Sequence, residues 1–451
     1  FGRSGFGTLN GAAFATGSAA GYPSTGVGVN ANIMSVDVVD NLNVKITLER
    51  GDSEFLGLMY RAGRYVMRAN AQIADSKTCS SNPIGTGPFM KQSYSADELV
   101  VVKNPNYWRK DAAGGKLPYL DKITFINIKE ASSRAAAVRT GAVDAAFFVT
   151  GDATFIKDLQ QRKSVVKGYE ASKTAWGQWV PNVGKAGSPF KFKNCRLAAA
   201  HAMDWNAYNK VRLKGLGNFS GSVVGKTSIM YTTAGAPKYD VAKAKEYVAL
   251  CNTDLGAAAP FKLTLYADSS SQSQKNIKFI GDMLVKAGIQ LNATNIEESA
   301  VLVSKIYRGG GNLFDFAEGT PAEGDAIGYI VPFFLSKAFP SDSKNPMAAT
   351  PYGKGYNTVI ALGGHGDTNM DNLFYAAMAD TNKTTAKAKW AAATKYLQEN
   401  ALAIPAVHGG FWMFTNNSKK LMGVGTLKNP DGSKPSAMET KGFEWTGIYK
   451  G

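Results

Sequence analysis

The stretch 261–316 constrains this chain more than any other. Residues 261–266 alternate as a strand; Ile277, Ile280, Leu284 and Ala287 then recur at helical spacing, and Gly288 stops that helix. Residues 289–296 read as a second strand, 300–308 as a helix and 313–316 as a third strand. A β-α-β-α-β order calls for a largely parallel sheet with right-handed crossovers, hence an α/β architecture.

Other segments agree with that class. Residues 35–48 predict two short strands around an Asp40-Asn41 turn. Residues 123–128 predict a strand, Ser132 and Ser133 cap a helix over 134–139, Gly141 ends it, and 143–149 is a strand again. Residues 174–180 form a short aromatic strand, and the Gly/Pro-containing 182–189 is the best boundary candidate. Asn194, Asp204 and Asp240 each stand where a helix N-cap is expected, and 370–400 is rich in helix formers. The Gly-rich opening, 1–32, reads as a loop.

Charge narrows the function. Lys and Arg number 51 against 35 Asp and Glu, a net charge of +16, which favours anionic surfaces. The basic residues are scattered, which argues against a nucleic-acid-binding arm. No uncharged apolar run reaches the roughly 18 residues of a transmembrane helix. The chain starts at Phe1 without a basic-then-apolar leader, so either a leader has been removed or the sequence is a fragment. Cys79, Cys195 and Cys251 form no CxxC, which excludes a zinc knuckle or a redox dithiol. One disulfide among them is open, with no pairing assigned by spacing.

Catalytic motifs fail one by one. Val224-Gly-Lys-Thr227 resembles the tail of a phosphate-binding loop, but Ser220 stands where the first glycine belongs. His201, His365 and His408 form no HxH, HExxH or i,i+4 pair, and there is no GxSxG elbow. No metal or cofactor is expected. Two aromatic clusters, Trp176/Trp179 and Phe411/Trp412/Phe414, are either core or the wall of a cleft that stacks on a ligand. Glu318, Glu323 and Asp325 follow a strand's carboxyl end, where open α/β sheets bind ligands; the alternative is a solvated loop.

The order of phrases is that of a known family. Pro83-Ile-Gly-Thr-Gly-Pro-Phe89, Lys103-Asn-Pro-Asn-Tyr-Trp108 and Leu117-Pro-Tyr-Leu-Asp-Lys-Ile123 come first. Ala131-Ser-Ser-Arg-Ala-Ala-Ala-Val-Arg-Thr-Gly-Ala-Val-Asp144, Cys195-Arg-Leu-Ala-Ala-Ala-His-Ala-Met-Asp204 and Tyr239-Asp-Val-Ala-Lys-Ala-Lys245 follow. Together they resemble the family 5 extracellular solute-binding proteins of bacterial ABC transporters. The resemblance implies a two-lobed, type II periplasmic-binding-protein-like α/β fold with mixed sheets, a hinge and a ligand enclosed between the lobes. It further implies that the first lobe is incomplete at its N-terminus. Lobe one is then 1–178 with 410–451, and lobe two 179–409. The implied role is the substrate-binding component of an ABC importer, a monomer outside the cytoplasm, secreted or lipid-anchored, with a membrane permease as partner. The alternative is a hydrolase using His408 with carboxylates of the 318–325 loop.

Two departures bear on the ligand. The family's Gly-Trp pair after 313–316 reads Glu318-Gly319, and the Asp that meets a peptide's amino group falls near Ala322 or Glu323. The loop 268–272 carries no Arg for a dipeptide's carboxylate. The expected cleft is lined by Trp176, Gln178 and Trp179, by Glu318, Glu323 and Asp325, and by His408, Phe411 and Trp412. Without Lys or Arg in those segments, a cationic or zwitterionic, peptide-like ligand is expected.

Overall fold

The structure, a computed structural model, describes residues 33–40, 42–48, 51, 82–171, 177–183, 185, 187–256, 260–298, 315–319, 334, 367–429, 432–433, 437–438 and 442–451. It begins with a hairpin of β1 (Ile33–Val38) and β2 (Val44–Leu48). Asp40 makes the turn, its Oδ1 accepting from the Leu42 and Asn43 amides at 2.8 and 2.9 Å. β3 (Phe89–Tyr94), β4 (Glu98–Lys103) and β5 (Lys122–Ile126) form an antiparallel meander. α1 (Ala131–Thr140) follows and Gly141 closes it at φ 75°, a conformation glycine adopts at little steric cost. The expected Ser132–Ser133 cap is not used: Glu130 is the N-cap, and the helix starts on Ala131.

β6 (Ala145–Val149), α2 (Ala153–Gln161) and β7 (Val166–Glu170) come next. Beyond β8 (Gln178–Pro181) lie α3 (Lys193–Ala202), α4 (Trp205–Val211) and α5 (Val241–Leu255). Asp204 and Asp240 cap α4 and α5, accepting from the Ala207 and Lys243 amides at 2.9 and 3.0 Å. Asn194 does not cap α3, whose N-cap is Phe192. Cys195 on α3 and Cys251 on α5, both fully buried, are joined by a disulfide.

The strand expected over 261–266 is split into β9 (Lys262–Leu263) and β10 (Tyr266–Asp268). α6 (Ser271–Lys286) returns the chain to β11 (Gln290–Leu291) and β12 (Asn295–Glu297). β9 pairs with β11 and β10 with β12, both parallel, as the crossover pattern requires. The third strand departs from expectation. β13 (Phe316–Gly319) leaves the parallel sheet and pairs antiparallel with β8. Asp315 explains the switch: its Oδ2 accepts from the Thr264 amide, in the break between β9 and β10, at 2.8 Å. Its Oδ1 is paired with Lys185, and its carbonyl accepts from the Asn182 amide at 2.9 Å. Among the described residues of 182–189, expected as a linker, Asn182, Ser188 and Pro189 are buried. The helix expected over 300–308 lies outside the described residues.

α7 (Thr368–Met378) and α8 (Lys383–Glu399) lead into β14 (Ile404–Pro405) and β15 (Phe411–Asn416). β14 pairs with β8, whereas β15 lies between β6 and β7, antiparallel to both. One apolar core gathers α3, α5, α6, β8, β9 and 401–407; a second gathers α1, α2, β6, β7 and β15. Residues 406–410 therefore run from β14, packed with the first core, to β15, packed with the second.

Candidate functional site

The segment 406–411 is tied to Ala171 and to Gly177. The Ala171 amide donates to the Phe411 carbonyl at 3.0 Å, and the Ala406 amide to the Gly177 carbonyl at 2.8 Å. The rest of 406–410 is bonded to other neighbours. The His408 amide donates to Asn218 O at 2.7 Å and its carbonyl accepts from the Asn218 amide at 3.0 Å. Gly410 O accepts from both the amide and the hydroxyl of Thr150, at 3.1 and 3.0 Å. A crossing bonded on both sides holds its side chains in fixed positions.

Gly177 permits this approach. A Cβ there would stand 2.5 Å from Val407 O and 2.9 Å from the His408 amide nitrogen, both main-chain atoms that cannot move aside alone. Gly177→Ala is expected to cost roughly 1–3 kcal/mol through forced separation of the strands. Urea unfolding reads it; an unchanged midpoint would show that the crossing spreads without penalty.

His408 is 1% exposed, and its ring lies against a loop of serines. Nε2 is 2.8 Å from Ser220 Oγ and 3.3 Å from the Ser222 carbonyl. Ser220 Oγ accepts from the Ser222 amide at 3.1 Å and stands 2.9 and 3.0 Å from the carbonyls of Val224 and Ser222. The single hydroxyl proton goes to one of those carbonyls, since neither can donate. We assign the proton of the His408–Ser220 bond to the imidazole's Nε2, which also faces the Ser222 carbonyl at 3.3 Å. That leaves Nδ1 a bare acceptor, buried and without a partner. Burial also pushes the His408 pKa down to about 4, so the ring is neutral at pH 7. Gln398 fixes the serine loop from α8: its Oε1 accepts from the Val223 amide at 3.0 Å, and its Nε2 donates to Ala234 O at 2.8 Å.

Two more buried polar groups on these strands lack partners. Gln178, 0% exposed, has neither side-chain oxygen nor nitrogen bonded, and the Trp412 indole N–H is likewise unpaired. Such groups are costly unless something meets them.

The sequence-predicted residues divide accordingly. Gln178, His408, Phe411 and Trp412 lie on the crossing strands or between them. Trp179, expected on a cleft wall, packs in the core cluster, with Phe316 4.7 Å and Trp205 6.4 Å away between ring centroids. Strand alternation sends it to the face opposite Gln178. Phe411 and Trp412 are buried too, Phe411 stacked on Phe147 at 5.7 Å and Trp412 in the core beside β6. Glu318 stands opposite Trp179 in the β13–β8 register. Trp176, Glu323, Asp325 and His365 lie outside the described residues. Asn218, Ser220, Thr150 and Gly177 were missed; only the failed phosphate-loop match drew attention near Ser220.

A hydrolytic reading of His408 finds no support in this geometry. A general base needs a free lone pair toward its nucleophile and a carboxylate behind the ring. Here the protonated nitrogen faces Ser220, and Nδ1 has no partner. Among the described residues no three His, Cys, Asp or Glu side chains group as a metal site. No helix among them is long and apolar enough to cross a membrane.

Comparison with known proteins places this arrangement. The family model for bacterial extracellular solute-binding proteins, family 5 (middle), matches residues 8–340. The glutathione-binding protein GsiB of Salmonella paratyphi A is 26% identical over 320 residues, 70% of this chain and 60% of that protein. GsiB of Shigella flexneri is 25% identical over 315 residues, 68% of this chain and 59% of that protein. The chain thus spans about 60% of the length of these curated relatives. Among solved structures, the periplasmic binding protein DppA from Helicobacter pylori, in complex with peptide STSA, superposes with a TM-score of 0.73. Its identity is 20%, over 94% of this chain and 76% of that one. MoaA from A.tumefacien R10, in complex with mannopinic acid, gives a TM-score of 0.73 at 22% identity, over 93% of this chain and 79% of that one. These likenesses show the fold: two lobes of mixed α/β structure, of the type II periplasmic-binding-protein kind.

Proposed function

The chain belongs to the bacterial extracellular solute-binding proteins of family 5, and on that premise we propose that it is the solute receptor of an ABC importer. It captures a peptide-like or other cationic or zwitterionic solute between its lobes and delivers it, unchanged, to a membrane permease. It works in the periplasm or at the outer cell surface, as a monomer. The relatives' ligands, glutathione and a short peptide, are of that class.

The carrying observation is the set of orphaned polar atoms at the crossing: both ends of the Gln178 amide, His408 Nδ1 and Trp412 Nε1. A receptor that encloses a solute must present such groups to it. The lobes are 1–178 with 410–451, and 179–409. Support comes from β15, which inserts between β6 and β7, while β8 pairs with β13 and β14. Away from the crossing, Lys129 pairs with Glu298 at 2.7 Å and Ser271 Oγ donates to Glu130 at 2.9 Å, bonds that would hold the lobes closed at the rim.

Native mass spectrometry of protein purified without denaturant should reveal a retained small molecule. Calorimetric titration with glutathione and with the peptide Ser-Thr-Ser-Ala should give one saturable site. No retained solute and no titratable binding would overturn the receptor reading.

The acidic loop supplies the ligand's amine partner. An enclosed charge that loses its partner typically costs about 2–5 kcal/mol. Glu323→Gln, nearest the family's amine-binding position, should therefore weaken binding of the retained solute more than tenfold. Glu318→Gln and Asp325→Asn complete the set, and wild-type affinity in all three would make this loop a solvated one.

A further inference from the structure

We infer that Gln178 is a specificity-determining residue whose carboxamide pairs with an amide group of the ligand, one that offers N–H and C=O together. This rests on the reading that a solute is held at the crossing.

The argument starts from register. On β8, Gln178 stands directly opposite Gly319 on β13 and directly opposite Pro405 on β14. Residues directly opposite in antiparallel pairs share a face and are each other's nearest side-chain neighbours. Glycine has no side chain, and the proline ring carries neither donor nor acceptor. Gln178 is thus flanked on both sides by residues that cannot satisfy it. Gly319 also leaves the side-chain volume beside it unfilled by this strand. The carboxamide is fully buried, and both its oxygen and its nitrogen lack partners.

The chemistry of the missing partner follows from what is unsatisfied. A carboxylate would accept from Nε2 but set a negative oxygen against Oε1. An ammonium would donate to Oε1 and leave Nε2 bare. A group with one donor and one acceptor, uncharged, satisfies both ends. The other unpaired groups on these strands, His408 Nδ1 and Trp412 Nε1, are uncharged as well. The crossing therefore reads the neutral, amide-bearing part of a solute, and charged ends are left to other parts of the cleft.

The test uses the full chain with glutathione and Ser-Thr-Ser-Ala as probes, each also made with a single peptide bond replaced by an ester, which removes one N–H. Gln178→Leu keeps the bulk and removes both polar atoms; Gln178→Glu keeps the shape and adds charge. For the probe that wild type binds, each variant should lose roughly tenfold or more in affinity. The ester version that removes the recognised N–H should bind wild type more weakly than the amide and narrow the gap to Gln178→Leu, since it loses the bond to Oε1 and keeps only the one from Nε2. A loss of twofold or less in Gln178→Leu, with wild-type binding intact, overturns the inference and leaves the receptor reading standing. No wild-type binding to any probe removes both. If the variants do not fold, the side-chain NH2 resonance of Gln178 in ¹⁵N-glutamine-labelled wild type decides. It should shift when the bound probe is added, and no shift at saturation overturns the inference.

Discussion

Replacing both Cys195 and Cys251 by alanine is expected to lower stability by about 4 kcal/mol, mainly by freeing the unfolded chain. The two residues are 56 apart in sequence, and a cross-link closing a loop of that size removes denatured-state entropy worth about 4 kcal/mol. That is a large share of the 5–15 kcal/mol that holds a typical domain together. The native side of the balance changes less. Both sulfurs sit in the apolar core between α3 and α5, so alanine leaves a small void and no stranded polar atom. Serine would add an unpaired buried hydroxyl and confuse the reading. The loss should appear as a fall of roughly 10 °C in the melting of the part of the protein built on the core of α3, α5 and α6, which carries the bond. Calorimetry on the double variant with Cys79 retained measures it. An unchanged melting temperature would mean that α3 and α5 are held in the unfolded ensemble by something other than the bond. A persistent structural disulfide also belongs to an oxidising compartment, in keeping with a family of extracellular proteins.

Much of the fold was legible because local signals and global topology agreed. The alternating run at 261–266, the helical stripe ending at Ala287 and the Gly288 stop specify a parallel crossover, and β9–β11 and β10–β12 form it. Gly141, Asp40, Asp204 and Asp240 act locally, and each does what its side chain or its lack of one dictates. β13 was not legible in the same way. Its partner β8 lies more than a hundred residues earlier, and the decision between sheets rests on where Asp315 finds its partners. Local hydrophobicity carries no such information.

The candidate site divides along the same line. β8 is buried on both faces, so alternation separates Gln178 from Trp179 without saying which of them meets a ligand. Aromatic character pointed to Trp179, which the structure places in the core, whereas the polar residue beside it is the one left without partners. His408 was singled out by its position after a strand end. Its partners, Ser220 and Asn218, come from almost two hundred residues away and carry no spacing signal. The disulfide was one of three pairings until folding brought α3 against α5.

Acid should destabilise this protein through His408 in a way that a single substitution removes. The imidazole is neutral in the native state, its pKa held at about 4 by burial, against about 6.5 in an unfolded chain. Between those values the unfolded chain binds a proton that the native state refuses. Stability is therefore fully present above pH 6.5 and falls as the pH drops toward 4, where the native ring itself takes up the proton. A window of about 2.5 pH units corresponds to roughly 3 kcal/mol. His201 acts in the same direction, its pKa also lowered by burial. Carboxylates titrate in this range as well, so the useful quantity is a difference between two chains. His408→Gln keeps a donor for Ser220 and an acceptor in place of Nδ1, and does not titrate. Urea unfolding at pH 7 and pH 4 should show wild type losing about 3 kcal/mol more than His408→Gln. A gap between the two proteins that stays constant across that range would mean that the native ring takes up its proton as readily as the unfolded one. Ligand binding should follow the same group. A solute that donates to Nδ1 needs the lone pair that protonation removes, so the His408-dependent part of its affinity should hold from pH 7 to about 5 and disappear as the pH passes below 4.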